Sequence, residues 1–156
     1  MIRQVHRVSR PGMPLKAYAD FSAFKLYAHD VGLLGAMAGI PSQVLIEGHE
    51  LFTHFKGALT EQFVLQELVA AGATPCYWSP DAGVAEVEFV VQGRDGVYPL
   101  EVKAEANLQA KSLKSYRERF SPPRCLRTSL AKYAVGKFTD DIPLYAIGYA
   151  IRGYRE

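Results

Sequence analysis

Apolar and polar side chains alternate over residues 1–8, where Ile2, Val5 and Val8 are set among Arg3, Gln4 and Arg7, and this pattern predicts a strand. The run Ser9-Arg10-Pro11-Gly12-Met13-Pro14 ends it, since proline and glycine interrupt regular backbone. Phe24 to Ala28 reads as a short extended stretch. Asp30 is a good N-cap for a helix over Val31 to Ala38, with Gly39 and Pro41 as the stop. Further on, Gly57 to Ala71 has helical periodicity and ends at Gly72, and Thr74 to Trp78 reads as a short strand closed by Ser79-Pro80-Asp81. Ala85 to Val91 and Val97 to Ala104 flank Gly93-Arg94-Asp95-Gly96, a hairpin signal. Lys111 to Phe120 is an amphipathic helix stopped by Ser121-Pro122-Pro123. Arg124 to Ser129 and Leu144 to Ala150 are the last predicted strands. The order helix, three strands, helix, strand, with an extra strand at the end, predicts an α/β fold with a mixed sheet flanked by helices.

Two placements break the simple apolar-inside pattern. On a wheel of about 100° per residue with Ala58 at zero, Glu61 falls at roughly 300°, between Leu68 at roughly 280° and Leu65 at roughly 340°. Thr60, Gln62, Gln66 and Glu67 fall outside that apolar arc. A carboxylate facing a core is costly unless it is paired or metal-bound. In the hairpin, Glu86, Glu88 and Val90 share one strand face, opposite Val87, Phe89 and Val91. Glu101 and Lys103 share a face on the next strand. A two-residue loop at Arg94-Asp95 sets Glu88 across from Glu101 and Glu86 across from Lys103; a longer loop sets Glu88 against Lys103. Facing like charges cost up to about 1 kcal/mol, and a bridging cation reverses the sign. Glu88, Glu101 and the Val102 carbonyl suit a hard ion such as Mg²⁺, with Glu61 completing or orienting the shell. Lys103 projects to the same place, where it can position a water and offset charge on a phosphate. Taken singly, an acid on a helix or a Glu-x-Lys on a strand is more often an ion pair.

Composition sets the frame. The chain has 156 residues, 49% hydrophobic and 22% charged, as in an ordinary globular domain. It contains no run of 18 apolar residues, so it predicts no membrane span. The first 30 residues lack the apolar core of a signal peptide, and Cys76 and Cys125 lack partners at disulfide-scaffold or zinc-site spacing. These features predict a cytoplasmic location. The net charge of +2 conceals segregation: residues 1–29 hold five basic groups and one acid, residues 30–102 two against ten, and residues 103–137 nine against two. An acidic middle between basic flanks fits a cation-binding centre inside a polyanion-binding surface, and equally a set of solvated faces.

Glu61 on the helix, Glu88 on the second strand and Glu101-Val102-Lys103 on the third resemble the PD-(D/E)xK nuclease superfamily, whose core is helix, three strands, helix, strand. The closer resemblance is to the domain-of-unknown-function 4143 family, carried by Lys25-Leu26-Tyr27, Asp30-Val31-Gly32-Leu33-Leu34, Gly57-Ala58-Leu59-Thr60-Glu61-Gln62-Phe63-Val64, Tyr77-Trp78-Ser79, Ala85-Glu86-Val87-Glu88-Phe89-Val90, Pro99-Leu100-Glu101-Val102-Lys103 and Lys111-Ser112-Leu113-Lys114-Ser115-Tyr116. Members of that family typically form the C-terminal part of bacterial and archaeal proteins whose N-terminal part is a P-loop AAA-type ATPase. Two departures stand out: Glu88 replaces the usual Asp, and Ser112 stands where some nucleases carry Gln before the Tyr.

The resemblance implies a restriction-endonuclease-like core over residues 49–156 and an N-terminal extension over residues 1–48, packed on the core or left from an upstream domain. It also implies a Mg²⁺-dependent (or Mn²⁺-dependent) DNA phosphodiester hydrolase. In it Glu88 and Glu101 are metal ligands, and Glu61, Glu88, Glu101 and Lys103 are the catalytic set. Lys111, Lys114, Arg117 and Tyr116 would contact nucleic acid, Lys111, Lys114 and Arg117 as a basic face. The chain has no P-loop motif, so the ATPase partner would lie upstream or act in trans. A start directly on a strand likewise predicts a C-terminal piece of something longer. The competing reading is a non-catalytic nucleic-acid- or protein-binding module that regulates a partner ATPase, and a third is a half-site that works only as a homo-oligomer. Trp78 and Tyr77 are assigned to core packing ahead of base stacking, and His6, His29, His49 and His54 have no assigned role.

Overall fold

The chain's computed structural model describes residues 2–41, 53–82, 84–104 and 111–156. It opens with β1 (Ile2–Val8) and β2 (Asp20–Ala28), paired antiparallel. A one-turn 3-10 helix at Leu15–Tyr18 fills the connection. The extended stretch expected from Phe24 starts earlier, at Asp20, whose carboxylate receives Arg7 of β1 at 2.8 Å. Helix α1 (Val31–Met37) is capped as the sequence requires: the Asp30 side chain accepts from the Leu33 N–H at 2.8 Å.

Helix α2 (Thr53–Ala70) begins four residues before the expected start at Gly57. It stops at Gly72, which sits at φ +78°, a conformation glycine adopts without the Cβ penalty. Then follow β3 (Cys76–Trp78), β4 (Val87–Gln92), β5 (Val97–Val102), α3 (Lys111–Phe120) and β6 (Cys125–Ser129). The chain closes with β7 (Ala134–Val135), β8 (Thr139–Pro143) and α4 (Ile147–Arg155).

All strands join one mixed sheet in the order β2-β1-β3-β4-β5-β6-β8-β7. β1–β3, β5–β6 and β6–β8 are parallel and the other pairs antiparallel. One face carries the core of Val64, Leu65 and Leu68 from α2 against Phe89, Leu100 and Leu126, closed by Ile147 and Ile151 of α4. The other face packs Leu113 and Tyr116 of α3 on Trp78, Val90 and Val97. Burying each such side chain contributes about 1.5–3 kcal/mol. Trp78 and Tyr77 are both buried, as expected. The boundary expected between residues 48 and 49, and His49, lie outside the described residues.

The hairpin has the two-residue-loop register. Phe89 lies opposite Leu100 and Gln92 opposite Val97, and the Gly93 N–H donates to the Gly96 carbonyl at 2.9 Å. Against β3 the register slips: Cys76 opposes Val90, but Trp78 opposes Val87. A bulge therefore lies at Glu88 and Phe89, and it moves Val87 away from the face expected for it beside Phe89 and Val91. Val87 packs instead with Val90 in the α3-side core.

The C-terminal region corrects the sequence reading. Leu144 to Ala150 is not a strand: a 3-10 turn at Leu144–Ala146 runs into α4. Ile147, Ile151 and Tyr154 recur at helical spacing, a period that the short apolar run up to Ala150 does not display. The strand of this region is β8, unanticipated because two aspartates occupy its centre. Each is matched by an arginine, Asp140 by Arg124 just before β6 and Asp141 by Arg127 within it.

Candidate active site

Glu88 stands where the β4–β5 ladder ends. Instead of continuing the pairing beyond Phe89–Leu100, its carboxylate accepts the Val102 backbone N–H at 3.2 Å. On β5, Glu101 is 3% exposed, and one carboxylate oxygen lies 2.6 Å from the Lys103 ammonium. Its other oxygen, Oε2, has no hydrogen-bond partner among the described residues. Burial first, and the neighbouring Glu101 second, push Glu88 up to about 7, although Lys103 pulls the other way. Glu88, Glu101 and Lys103 therefore share one electrostatic environment at the mouth of the hairpin.

Glu61 belongs to an adjoining cluster. It is neither in the middle of the core nor in bulk solvent: its side chain is 24% exposed. It accepts a hydrogen bond from the Tyr27 hydroxyl and lies 3.3 Å from the Lys25 ammonium. Lys25 also reaches Glu86 at 2.5 Å and lies over the Tyr77 ring. Burial opposes the charge of Lys25, but Glu86 and Glu61 outweigh it and raise its pKa. Burial and then the Glu61, Glu86 and Glu88 carboxylates raise the Tyr27 hydroxyl, keeping it a donor. Glu88 is thus the member within electrostatic reach of both clusters. Among the described residues, the fully buried polar side chain of α2 is Gln62, which falls outside the arc of the wheel; its Nε2 donates to the Ala28 carbonyl at 3.0 Å.

Sequence reasoning missed Arg127 and Asp141. Glu101 pairs in register with Arg127, and Arg127 with Asp141, so three charged side chains cross β5, β6 and β8 in a row. The Arg127 Nε donates to Asp141 at 2.6 Å. The signal was hidden because β8 itself went unrecognised. Lys25 and Tyr27 were visible only as part of a motif, with no role attached.

Among the basic-face residues, Lys111 and Lys114 are exposed, and Arg117 stacks on the Phe138 ring at 4.3 Å. Tyr116 does not join them. It is 1% exposed and meets Trp78 edge-on at 5.3 Å, so it packs the core and has no face to offer a base.

A family model described as Domain of unknown function (DUF4143) matches residues 56–147, more than half of the chain. The chain belongs to the DUF4143 family. The match runs from α2 to the start of α4 and takes in Glu61, Glu88, Glu101, Lys103 and Arg127. The β1–β2 hairpin that supplies Lys25 and Tyr27 precedes it. No curated protein and no solved structure matches the chain. Among the described residues of this DUF4143 chain, no helix is long and apolar enough to cross a membrane. No group of three or more His, Cys, Asp or Glu side chains there is placed to hold a metal ion. A cation at Glu88 and Glu101 would rest on two carboxylates and water, a set that Mg²⁺ accepts. The buried Oε2 of Glu101, without a partner among the described residues, is the feature that fits such an ion.

Proposed function

We propose that this DUF4143 chain has a restriction-endonuclease-like core and acts as a PD-(D/E)xK-type, Mg²⁺-dependent hydrolase of DNA phosphodiesters. One observation carries the reading: a buried Glu101 whose second carboxylate oxygen has no partner among the described residues, beside a Glu88 pushed up to about 7 and a lysine 2.6 Å away. The succession α2, β3–β4–β5, α3, β6 supports the core assignment. Glu88 and Glu101 would hold the ion, which supplies Lewis acidity toward the phosphate when bound. Lys103 keeps a positive charge at the Glu101 carboxylate and can orient an attacking water. Glu61, anchored by Tyr27 and Lys25, fixes the helix side of the site. Lys111, Lys114 and Arg117 offer charge to the DNA backbone.

The test is cleavage of labelled single-stranded, double-stranded and branched DNA with Mg²⁺ or Mn²⁺. Glu101→Gln and Lys103→Met should abolish cleavage and leave DNA binding intact. Millimolar Mg²⁺ should also raise the melting temperature of the wild type by mass action, and not that of Glu101→Gln. A second reading is a non-catalytic module that binds nucleic acid or protein and regulates an AAA-type ATPase. It is favoured by Lys25, which already neutralises Glu61 and Glu86 and leaves two carboxylates for a cation. Absence of cleavage on every substrate, with no thermal response to Mg²⁺, selects it.

A further inference from the structure

Two lysines face the carboxylates of the candidate site and its adjoining cluster, and they are used differently. Lys103 lies 2.6 Å from one oxygen of Glu101, and the other oxygen has no partner among the described residues. Lys25 is shared between two acids from different elements. Its ammonium lies 2.5 Å from Glu86, which leads into β4, and 3.3 Å from Glu61 of α2. Further contacts hold it there. The Tyr77 ring centre is 5.1 Å from the ammonium, and the Tyr27 hydroxyl donates to the same Glu61 oxygen that Lys25 reaches. The backbone is fixed by the β1–β2 ladder, which sets Lys25 opposite Val5.

An ammonium seated between two carboxylates occupies the position that a hard cation takes between such oxygens. Charge then limits how many further cations fit. Among the described residues, the two clusters set Glu61, Glu86, Glu88 and Glu101 against Lys25 and Lys103, a balance of −2 with every acid ionised. One divalent ion cancels that balance. A second would reverse its sign and would meet the Lys25 ammonium at close range. The clusters are also within each other's field, since Glu61, Glu86 and Glu88 all act on the Tyr27 hydroxyl.

We propose that the Lys25 ammonium is a built-in second cation of the site, closing the Glu61–Glu86 position so that the native chain takes one divalent ion, at Glu88 and Glu101. The proposal rests on the reading of Glu88 and Glu101 as cation ligands and fixes how many ions they and their neighbours accept. Lys25 is a positioning residue in it, acting through Glu61 and Glu86. The test counts the Mn²⁺ bound by the metal-stripped full chain, from the electron paramagnetic resonance of the ion left free. The wild type and Lys25→Arg should each bind one ion, Glu101→Gln none and Lys25→Met two. Lys25→Met/Glu101→Gln and Lys25→Met/Glu86→Gln should each bind one. Because Lys25→Met strands two carboxylates, its melting temperature should fall in EDTA and recover in millimolar Mn²⁺, but not in sodium at equal ionic strength. If that variant is unfolded in EDTA, Mn²⁺ should refold it, as read by circular dichroism. Two ions on the wild type, one on Lys25→Met beside one on the wild type, or a Lys25→Met chain that Mn²⁺ does not stabilise overturns the proposal. No ion on the wild type with one on Lys25→Met removes the Glu88–Glu101 site and leaves the role of Lys25 standing. No ion on either overturns both.

Discussion

Two buried carboxylates lie on the strands that flank β6 in the sheet, and they are treated in opposite ways. Asp140 on β8 accepts from the Nε and Nη2 of Arg124 and from the Tyr154 hydroxyl. Burial works against its charge, yet those hydrogen bonds prevail and hold it below the ordinary carboxylate range. Among the described residues, Glu101 on β5 has one lysine and one oxygen without a partner, and it raises Glu88 rather than relieving it. Among the described residues, Asp140 has a complete set of partners and the Glu88–Glu101 pair does not. Completed networks rigidify a fold, and on the proposed function the incomplete one is where a cation would supply the missing charge.

The contrast can be broken by substitution. The largest effect is expected at the completed site. Asp140→Ala removes three side-chain hydrogen bonds from a buried acceptor and should lower stability by about 3 kcal/mol, read as a shift in the urea midpoint. The pair should behave in the reverse sense with pH. Because the folded-state pKa of Glu88 is about 7 against an ordinary 4.5, the native state holds more protons than the unfolded state across that window. Its contribution to stability therefore falls as pH rises from about 4.5 to 7, by up to about 3 kcal/mol, and is level above that. Glu88→Gln should remove this slope, as measured by urea unfolding across the window. Asp140 acts oppositely, losing its contribution as pH falls through its depressed pKa. Lys103→Met should drive the Glu88 midpoint above 7, by withdrawing the cation that now restrains it. The smallest effect belongs to the exposed Lys114–Glu118 pair at 3.9 Å, where Lys114→Gln should change stability by no more than about 0.5 kcal/mol.

Much of this arrangement was legible in the residues because local rules dominate it. The Asp30 cap, the Arg94-Asp95 hairpin loop and the boundaries of α3 follow from capping, turn chemistry and periodicity. The hairpin register of Phe89 with Leu100 and Gln92 with Val97 followed from loop length alone, whereas the ladder stops before Glu88. What escaped depended on contacts distant in the chain. The β8 strand is tolerable only because Arg124, just before β6, and Arg127, within it, meet its two aspartates. α4 shows its period only over its full length. Gln62 turns inward because the Ala28 carbonyl lies across from it. Lys25 and Tyr27 take Glu61 because β2 folds over α2, which no helical wheel contains.

The most direct test follows the Glu88 carboxyl itself by carbon NMR through a pH titration, without and with millimolar Mg²⁺. The account predicts a midpoint of about 7 in EDTA and a clear downward displacement when the cation is present. A midpoint near the ordinary 4.5, or one near 7 that Mg²⁺ leaves in place, would contradict it.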